Sequence, residues 1–368
     1  MAPAPLPLVT AQLDAALHGG KLAPHGTWPE DFTHSRVKSP PRRADSVGTI
    51  PETSGLAGDE GAPPKERVDS SPKGGLLTVK DPGWRAWVAL GKPRLAGISV
   101  LTTLVAYATA RPGARPGEAL LLLAGTTCAA AGALSLNQWS EREADALMWR
   151  TRARPLPAGD VAPGPALVFS VVLSLAGIAL LAFGVNATTA LLAAATIVVY
   201  GFAYTPLKRH TRWATEIGAF SGALPALMGN AAAADLGAAP GLVLAVLLWF
   251  WQMPHFFALG WRHRADYRAA GFRLLPAVDP DGARTGAWSA FYAAALLGAS
   301  LVPWALGALG PVYGICAALG GAAFLRAAWR FAFRSADRDG AATRLFSMSL
   351  VYLPAMMVAL VIDQCLWR

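Results

Sequence analysis

The sequence predicts an all-α integral membrane protein of nine transmembrane helices, and three observations carry that expectation. The 368-residue chain is 54% hydrophobic and only 15% charged, with a mean hydropathy of +0.38, whereas soluble domains carry about 25% charged residues. From Trp84 onward, apolar runs of about 20 residues, the length that spans a hydrocarbon core, recur between polar breaks. The cations of those breaks gather in alternate loops.

Residues 1–80 stand apart. They are rich in Pro, Gly, Ser and charge, as in SPPRRADSVGT and GDEGAPPKERVDSSPKGG, with no periodic apolar face. Such a composition cannot offset its ordering entropy, so a disordered tail is expected. It lacks the basic stretch and continuous apolar core of a secretory signal. Asp14, Glu30 and Asp31 interrupt any organelle presequence, although residues 8–17 leave room for a short amphipathic targeting segment. The membrane domain is expected over 84–364, with spans at 95–110, 117–137, 163–183, 187–205, 214–234, 239–260, 285–306, 310–333 and 343–364.

Loop charge predicts the topology. Arg142, Arg150, Arg152 and Arg154 follow the second span; Lys208, Arg209 and Arg212 follow the fourth. Arg262, Arg264, Arg268 and Arg273 follow the sixth, and Arg334 and Arg338 the eighth. The other loops hold Arg111 and Arg115 and otherwise no cation. By the positive-inside rule the N-terminus and the cationic loops lie on the cytoplasmic or matrix side, with the C-terminus opposite. The net charge of +9 is then largely a topology signal, and no nucleic-acid partner is expected. Cys128, Cys316 and Cys365 fall in or directly beside apolar spans without a C-x-x-C pair, which suggests neither a disulfide nor a zinc site.

The densest polar stretch is NQWSEREADALMWRTRARP, residues 137–155. Asn137, Glu141 and Asp145 are spaced four apart, so on a helix they drift only about 40° per step and share a face, about 6 Å apart along the axis. A row of oxygen ligands suits Mg²⁺, which usually reaches a protein together with substrate phosphates. Arg150, Arg152 and Arg154 follow, and their planar forks match phosphate oxygens. Acids followed by arginines at a membrane surface suggest diphosphate chemistry; a solvated, salt-bridged helix is the plainer alternative.

Two further stretches hold unusual residues. Tyr204-Thr-Pro-Leu-Lys208-Arg209 ends the fourth span, where Pro206 stops the helix and the cations complement its dipole. The GAFSGALPALMGN segment after it spaces small residues four apart, as close helix packing requires. His255 lies within the sixth span, where an ionisable side chain is costly and reads either as functional or as bonded across helices. Asp266, eleven residues on, falls within about 20° of the same face if the helix continues.

The run N-x₃-[DE]-x₃-D-x₂-M-x-R-T-x₂-R-P-L, residues 137–156, resembles the first acidic motif of the UbiA-type intramembrane prenyltransferases. Met148, Arg150, Thr151 and the Arg154-Pro155-Leu156 ending look most like their protohaem IX farnesyltransferase (haem O synthase) branch. YTPLKR, the W-Q-x-P-H-F string at 251–256 and the D-Y-x₃-G-x₃-L-P string at 266–276 are similar to that branch as well. The resemblance covers about residues 84–364. It implies a UbiA-type bundle that transfers the farnesyl group of farnesyl diphosphate to a vinyl group of haem b, giving haem O on the way to haem A and cytochrome c oxidase. It further implies Mg²⁺ held by Asn137, Glu141 and Asp145 with Asp266 opposite, and diphosphate met by Arg150, Arg154, Lys208 and Arg209. Tyr204 would lie in the substrate site and His255 would position the haem or a reacting water; haem A synthase would be a partner. Glu141 stands where many members carry Asp, and Ala265 where a second acid often precedes the Asp266-Tyr267 pair, which leaves the metal count open. The alternatives are a sister enzyme prenylating a quinone precursor or chlorophyllide, and a transporter. The mitochondrial inner membrane is the favoured location and a bacterial plasma membrane the alternative.

Overall fold

Every described element is helical, because a chain crossing hydrocarbon must satisfy its backbone internally. The computed structural model describes residues 83–367 except 112, 114 and 334, and the tail expected over 1–80 lies outside the described residues. The helices are α1 (Trp84–Leu90), α2 (Pro93–Ala110), α3 (Pro116–Leu147), α4 (Pro163–Gly184) and α5 (Ala187–Val198). A π-helical turn, Val199–Tyr204, joins α5 to the short α6 (Thr205–Leu207). There follow α7 (Ala214–Ala232), α8 (Ala239–Arg262), α9 (Arg264–Ala269), α10 (Leu275–Val278), α11 (Ala283–Ala305), α12 (Pro311–Phe333) and α13 (Arg338–Trp367). Proline opens α2, α3, α4 and α12, where its missing N–H costs nothing and its fixed φ is already helical.

Each of the nine expected stretches falls on a helix, but the number of membrane-crossing helices differs from the expectation. Among the described residues, seven helices are long and apolar enough to cross, or eight if α1 and α2, bent by 52° at their junction, make one span. The helix left out is α7, which carries Glu216, Pro225 and Asn230. Twelve of its 19 residues are buried, against α2, α5 and α8. A helix wrapped by protein does not need an apolar surface all round, and α7 is too polar to count among the crossing helices. The second element also runs past its expected end at 137 and on to Leu147. The polar ladder therefore sits on a continuous helix.

Small residues set the closest contacts. A Cβ added at Gly177 would collide with the backbone of Ala129, and one at Gly132 would collide with Ser174. α3 and α4 thus meet backbone to backbone, the geometry small residues permit in membranes. The hydroxyls of Ser170 and Ser174 on this seam donate to Ala166 O and Ser170 O within α4, so neither serine needs a partner on α3. The other half of the bundle is built from α8, α11, α12 and α13 around Tyr313, Phe324, Phe331 and Tyr352. There Trp251 Nε1 donates to Ser349 O at 2.9 Å. Asp363, fully buried, accepts from the N–H groups of Gly310 and Tyr313 and so caps the start of α12.

The Gly177 seam generates a stability prediction. Gly177→Leu should force α3 and α4 apart and lower the thermal midpoint of the purified protein by several degrees, whereas Gly117→Leu, at a position with open space, should change it little. Equal midpoints for the two variants in a detergent melt would show that the α3–α4 contact does not hold the bundle.

Candidate active site

The site is built on the last three turns of α3. Asn137, Glu141 and Asp145 are 1%, 5% and 1% exposed, so the ladder is not a solvated helix face. Burying carboxylates costs several kcal/mol each unless cations and hydrogen bonds replace water, and every rung has such a partner. Asn137 Oδ1 accepts from Lys92 Nζ at 2.8 Å. Glu141 Oε1 pairs with Lys208 Nζ at 2.8 Å, and Asp145 Oδ2 accepts from Arg154 Nη1 at 2.7 Å. Lys92 lies within range of the charges of Arg154, Glu141, Lys208 and Asp145, so the three pairs form one cluster.

Separate devices deliver the three cations. Lys92 occupies the bend between α1 and α2 with φ of +45°, a left-handed conformation a lysine adopts only under constraint. Pro93 after it keeps it out of the right-handed helical region. Lys208 follows the π-helical turn, an irregularity found most often at functional positions. Directly after that turn Thr205 Oγ1 donates to Tyr200 O at 2.8 Å and accepts from Asn137 Nδ2 at 3.1 Å. The hydroxyl thereby fixes which end of the Asn137 amide faces Lys92. Arg154 comes from the loop after α3, folded back by the Thr151 Oγ1 bond to Asp145 O at 2.9 Å. Burial, the largest influence on Lys208, opposes its charge; Glu141, then Tyr204 and Tyr200, together outweigh it and hold its pKa above the ordinary lysine value. Its ammonium also lies 4.4 Å from the Tyr204 ring centroid, a cation–π contact.

The remaining expected residues are distributed differently. Arg150 and Arg209 are exposed and make no ion pair among the described residues. No hydrogen bond joins Asp266 to the ladder among the described residues; its Oδ1 accepts from Trp149 N at 3.3 Å, tying α9 to the loop after α3. The helical phase that would carry it onto the His255 face is broken at His263, where φ is −112° and ψ is 22° between α8 and α9. Burial, then the charges of Arg150 and Arg262, push His263 down to about 4 against the pull of Asp266; it is neutral at pH 7 and adds no cation to this loop. His255 has partners of its own. Its Nδ1 is 2.7 Å from Ser349 Oγ on α13 and its ring stacks on Trp251 with centroids 4.7 Å apart, which is the cross-helix arrangement of a packing histidine.

Beside the cluster lies an apolar chamber with a cavity volume of about 180 Å³. Tyr200 and Tyr204 line it next to the cations, Ala129, Ala133 and Gly222 give it width, and Met228 borders it too. The molecule thus joins a charged pocket to a hydrophobic one through two tyrosines. The charged pocket also suits a metal ion. Asp145 Oδ1 is buried without a hydrogen-bond partner, and the ladder offers one amide and two carboxylates from a single face. Mg²⁺ takes one or two protein carboxylates and completes its shell with water and substrate phosphates, so this donor set fits. Among the described residues no three Asp, Glu, His or Cys side chains converge, so protein carboxylates alone would not make a cage.

Sequence reasoning missed Lys92, Thr205 and Tyr200. Only Lys92 had a visible signal, a lone cation before a proline at the start of an apolar run. Removing one charge of the Glu141–Lys208 pair should be far worse than removing both. Lys208→Met should lower stability by about 3–5 kcal/mol, the usual cost of stranding a buried charge. Adding Glu141→Gln should restore most of it, as a double-mutant cycle in detergent would measure; additive losses would mean that the two side chains do not interact.

Comparison with known proteins agrees with this geometry. Residues 99–351 match the UbiA prenyltransferase family. The chain is 46% identical over 278 residues to a protein from Opitutus terrae named protoheme IX farnesyltransferase, covering 76% of this chain and 94% of that one. It is 38% identical over 291 residues to a protein of the same name from Solibacter usitatus, covering 76% and 99%. Among solved structures, a digeranylgeranylglyceryl phosphate synthase superposes with a TM-score of 0.64 at 17% identity, over 76% of this chain and 98% of that one. A UbiA homolog from Archaeoglobus fulgidus bound to GPP and Mg²⁺ superposes with a TM-score of 0.55 at 15% identity, over 75% and 99%; at such identity these two show the fold. The chain is a multi-pass integral membrane enzyme and belongs to the UbiA prenyltransferase family.

Proposed function

We propose that this enzyme transfers the farnesyl group of farnesyl diphosphate to a vinyl group of haem b, producing haem O. The observation that carries the reading is the buried carboxylate–cation cluster bordering an apolar chamber. An allylic diphosphate has the same division, a highly charged head and a long hydrocarbon tail. The name protoheme IX farnesyltransferase carried by the relatives at 46% and 38% identity supports the choice of farnesyl donor and haem acceptor.

In this reading the diphosphate sits against Lys92, Lys208 and Arg154, and the isoprenoid tail lies in the chamber. Asn137, Glu141 and Asp145 would hold Mg²⁺, which supplies charge neutralisation to the leaving diphosphate. Fixed cations act where negative charge develops as the C1–O bond breaks. The farnesyl C1 then bonds to the terminal vinyl carbon of haem b. Water adds its oxygen to the neighbouring carbon and releases a proton, which leaves the hydroxyethylfarnesyl chain. The apolar walls keep water from the allylic cation until the acceptor is in place, and the rings of Tyr200 and Tyr204 stand between charged head and hydrocarbon. Asp266 holds the arginine-bearing loop through Trp149, while His255 takes a packing role on α13. Arg150 and Arg209 remain exposed cations for attracting the diphosphate. Haem A synthase would consume the product. The bacterial sources of the relatives favour a bacterial plasma membrane over the mitochondrial one expected from sequence.

Purified enzyme given farnesyl diphosphate, Mg²⁺ and haem b should yield haem O by mass analysis, and give no prenylated product from a quinone precursor or chlorophyllide. Product from another acceptor alone would replace haem as substrate. Asp145→Ala should lower turnover by at least 100-fold (about 2.7 kcal/mol at about 1.4 kcal/mol per tenfold) in protein that still runs as a monodisperse membrane fraction; near-normal turnover would remove the ladder from the chemistry.

Orientation follows from the loop cations. With the native cysteines replaced, probes at Asp235→Cys and Arg212→Cys should label from opposite sides, Arg212→Cys from the cytoplasmic side. Labelling of both from one side would overturn the topology.

A further inference from the structure

Away from the active site, α12 carries an arginine that the mechanism does not use. The outward face of this helix reads Ile315, Leu319, Ala322, Arg326, Trp329 and Phe333, all exposed. Arg326 makes no ion pair or side-chain hydrogen bond among the described residues. Counting about 1.5 Å per residue, it lies roughly 10 Å inside the helix end at Phe333. A guanidinium at that depth on a lipid-facing surface is expensive unless it reaches headgroups or an anion.

The surroundings offer an anion a built place. Arg330 is one turn closer to the helix end and lines, with Arg326, a groove of about 640 Å³. Leu297 of α11 and Leu325 form its apolar wall, and Trp329 packs on Phe333 with ring centroids 4.3 Å apart. The tryptophan level is that of an interfacial aromatic belt. This end of α12 is also the active-site end of the bundle. Trp261, near the C-terminus of α8, packs on Phe331, with ring centroids 6.3 Å apart, and donates to Asp339 at the start of α13 at 2.6 Å.

We propose that Arg326 and Arg330 bind the phosphate of an anionic phospholipid in the leaflet that borders the active site, with one acyl chain lying in the groove against Leu297 and Leu325. The apolar wall directly beside the two arginines argues for a lipid phosphate over a soluble one. Charge complementarity argues for an anionic headgroup over a zwitterionic one.

The test uses the full chain in detergent, with thermal midpoints and native mass spectra recorded after adding phosphatidylglycerol, phosphatidylcholine or inorganic diphosphate. Phosphatidylglycerol should raise the midpoint more than phosphatidylcholine and leave at least one tightly held adduct. Arg326→Gln should lose that adduct and at least half of the phosphatidylglycerol increment. Arg326→Lys should retain part of both, and farnesyl transfer by Arg326→Gln in phosphatidylcholine should match wild type. If phosphatidylcholine stabilises equally, if Arg326→Gln keeps the adduct, or if diphosphate gives an increment that Arg326→Gln abolishes, the lipid assignment is overturned.

Discussion

Two carboxylates buried near the end of a membrane-spanning helix are the constraint around which the rest of the molecule is arranged. Glu141 and Asp145 at 5% and 1% exposure would each be costly alone, since the effective penalty of desolvating an ion is several kcal/mol. Much of the irregular backbone near them serves to bring in a cation. The strained Lys92 at the α1–α2 bend, the π-helical turn before Lys208 and the folded-back loop holding Arg154 are three such solutions. Regular helices could not have supplied them, because a cation within a straight span would face lipid or a neighbouring helix.

The same arrangement explains why the pocket is poised for a polyanion. The carboxylates keep three cations together that would otherwise repel, and a diphosphate offers those cations new partners. Asp145 Oδ1 without a partner marks where the protein alone leaves the charge pattern incomplete. Thr205 then matters beyond its size, because its bond to Asn137 decides which amide atom the pocket presents.

Much of this was legible in the sequence, and for physical reasons. Hydropathy located each long helix, and the four-residue spacing of Asn137, Glu141 and Asp145 put them on one face because α3 does not break before Leu147. Arg154 and Lys208 were likewise visible as motif residues. What periodicity could not carry was any relation across a break. Asp266 was placed on the His255 face only on the assumption of a continuous helix, and the turn at His263 removes that phase. The partnership of Lys92 with Asn137 spans 45 residues, and no local pattern encodes it.

The account stands on the claim that the ladder and its cations form a joint receptor for diphosphate and Mg²⁺. Calorimetric titration of inorganic diphosphate into the purified protein, with and without Mg²⁺, tests it most directly. Each should tighten binding of the other by at least tenfold, as linkage requires when both sit in one pocket, and the coupling should vanish in Glu141→Gln. Diphosphate binding of equal strength with and without Mg²⁺ would contradict the account, leaving the carboxylates as structural partners of the cations alone.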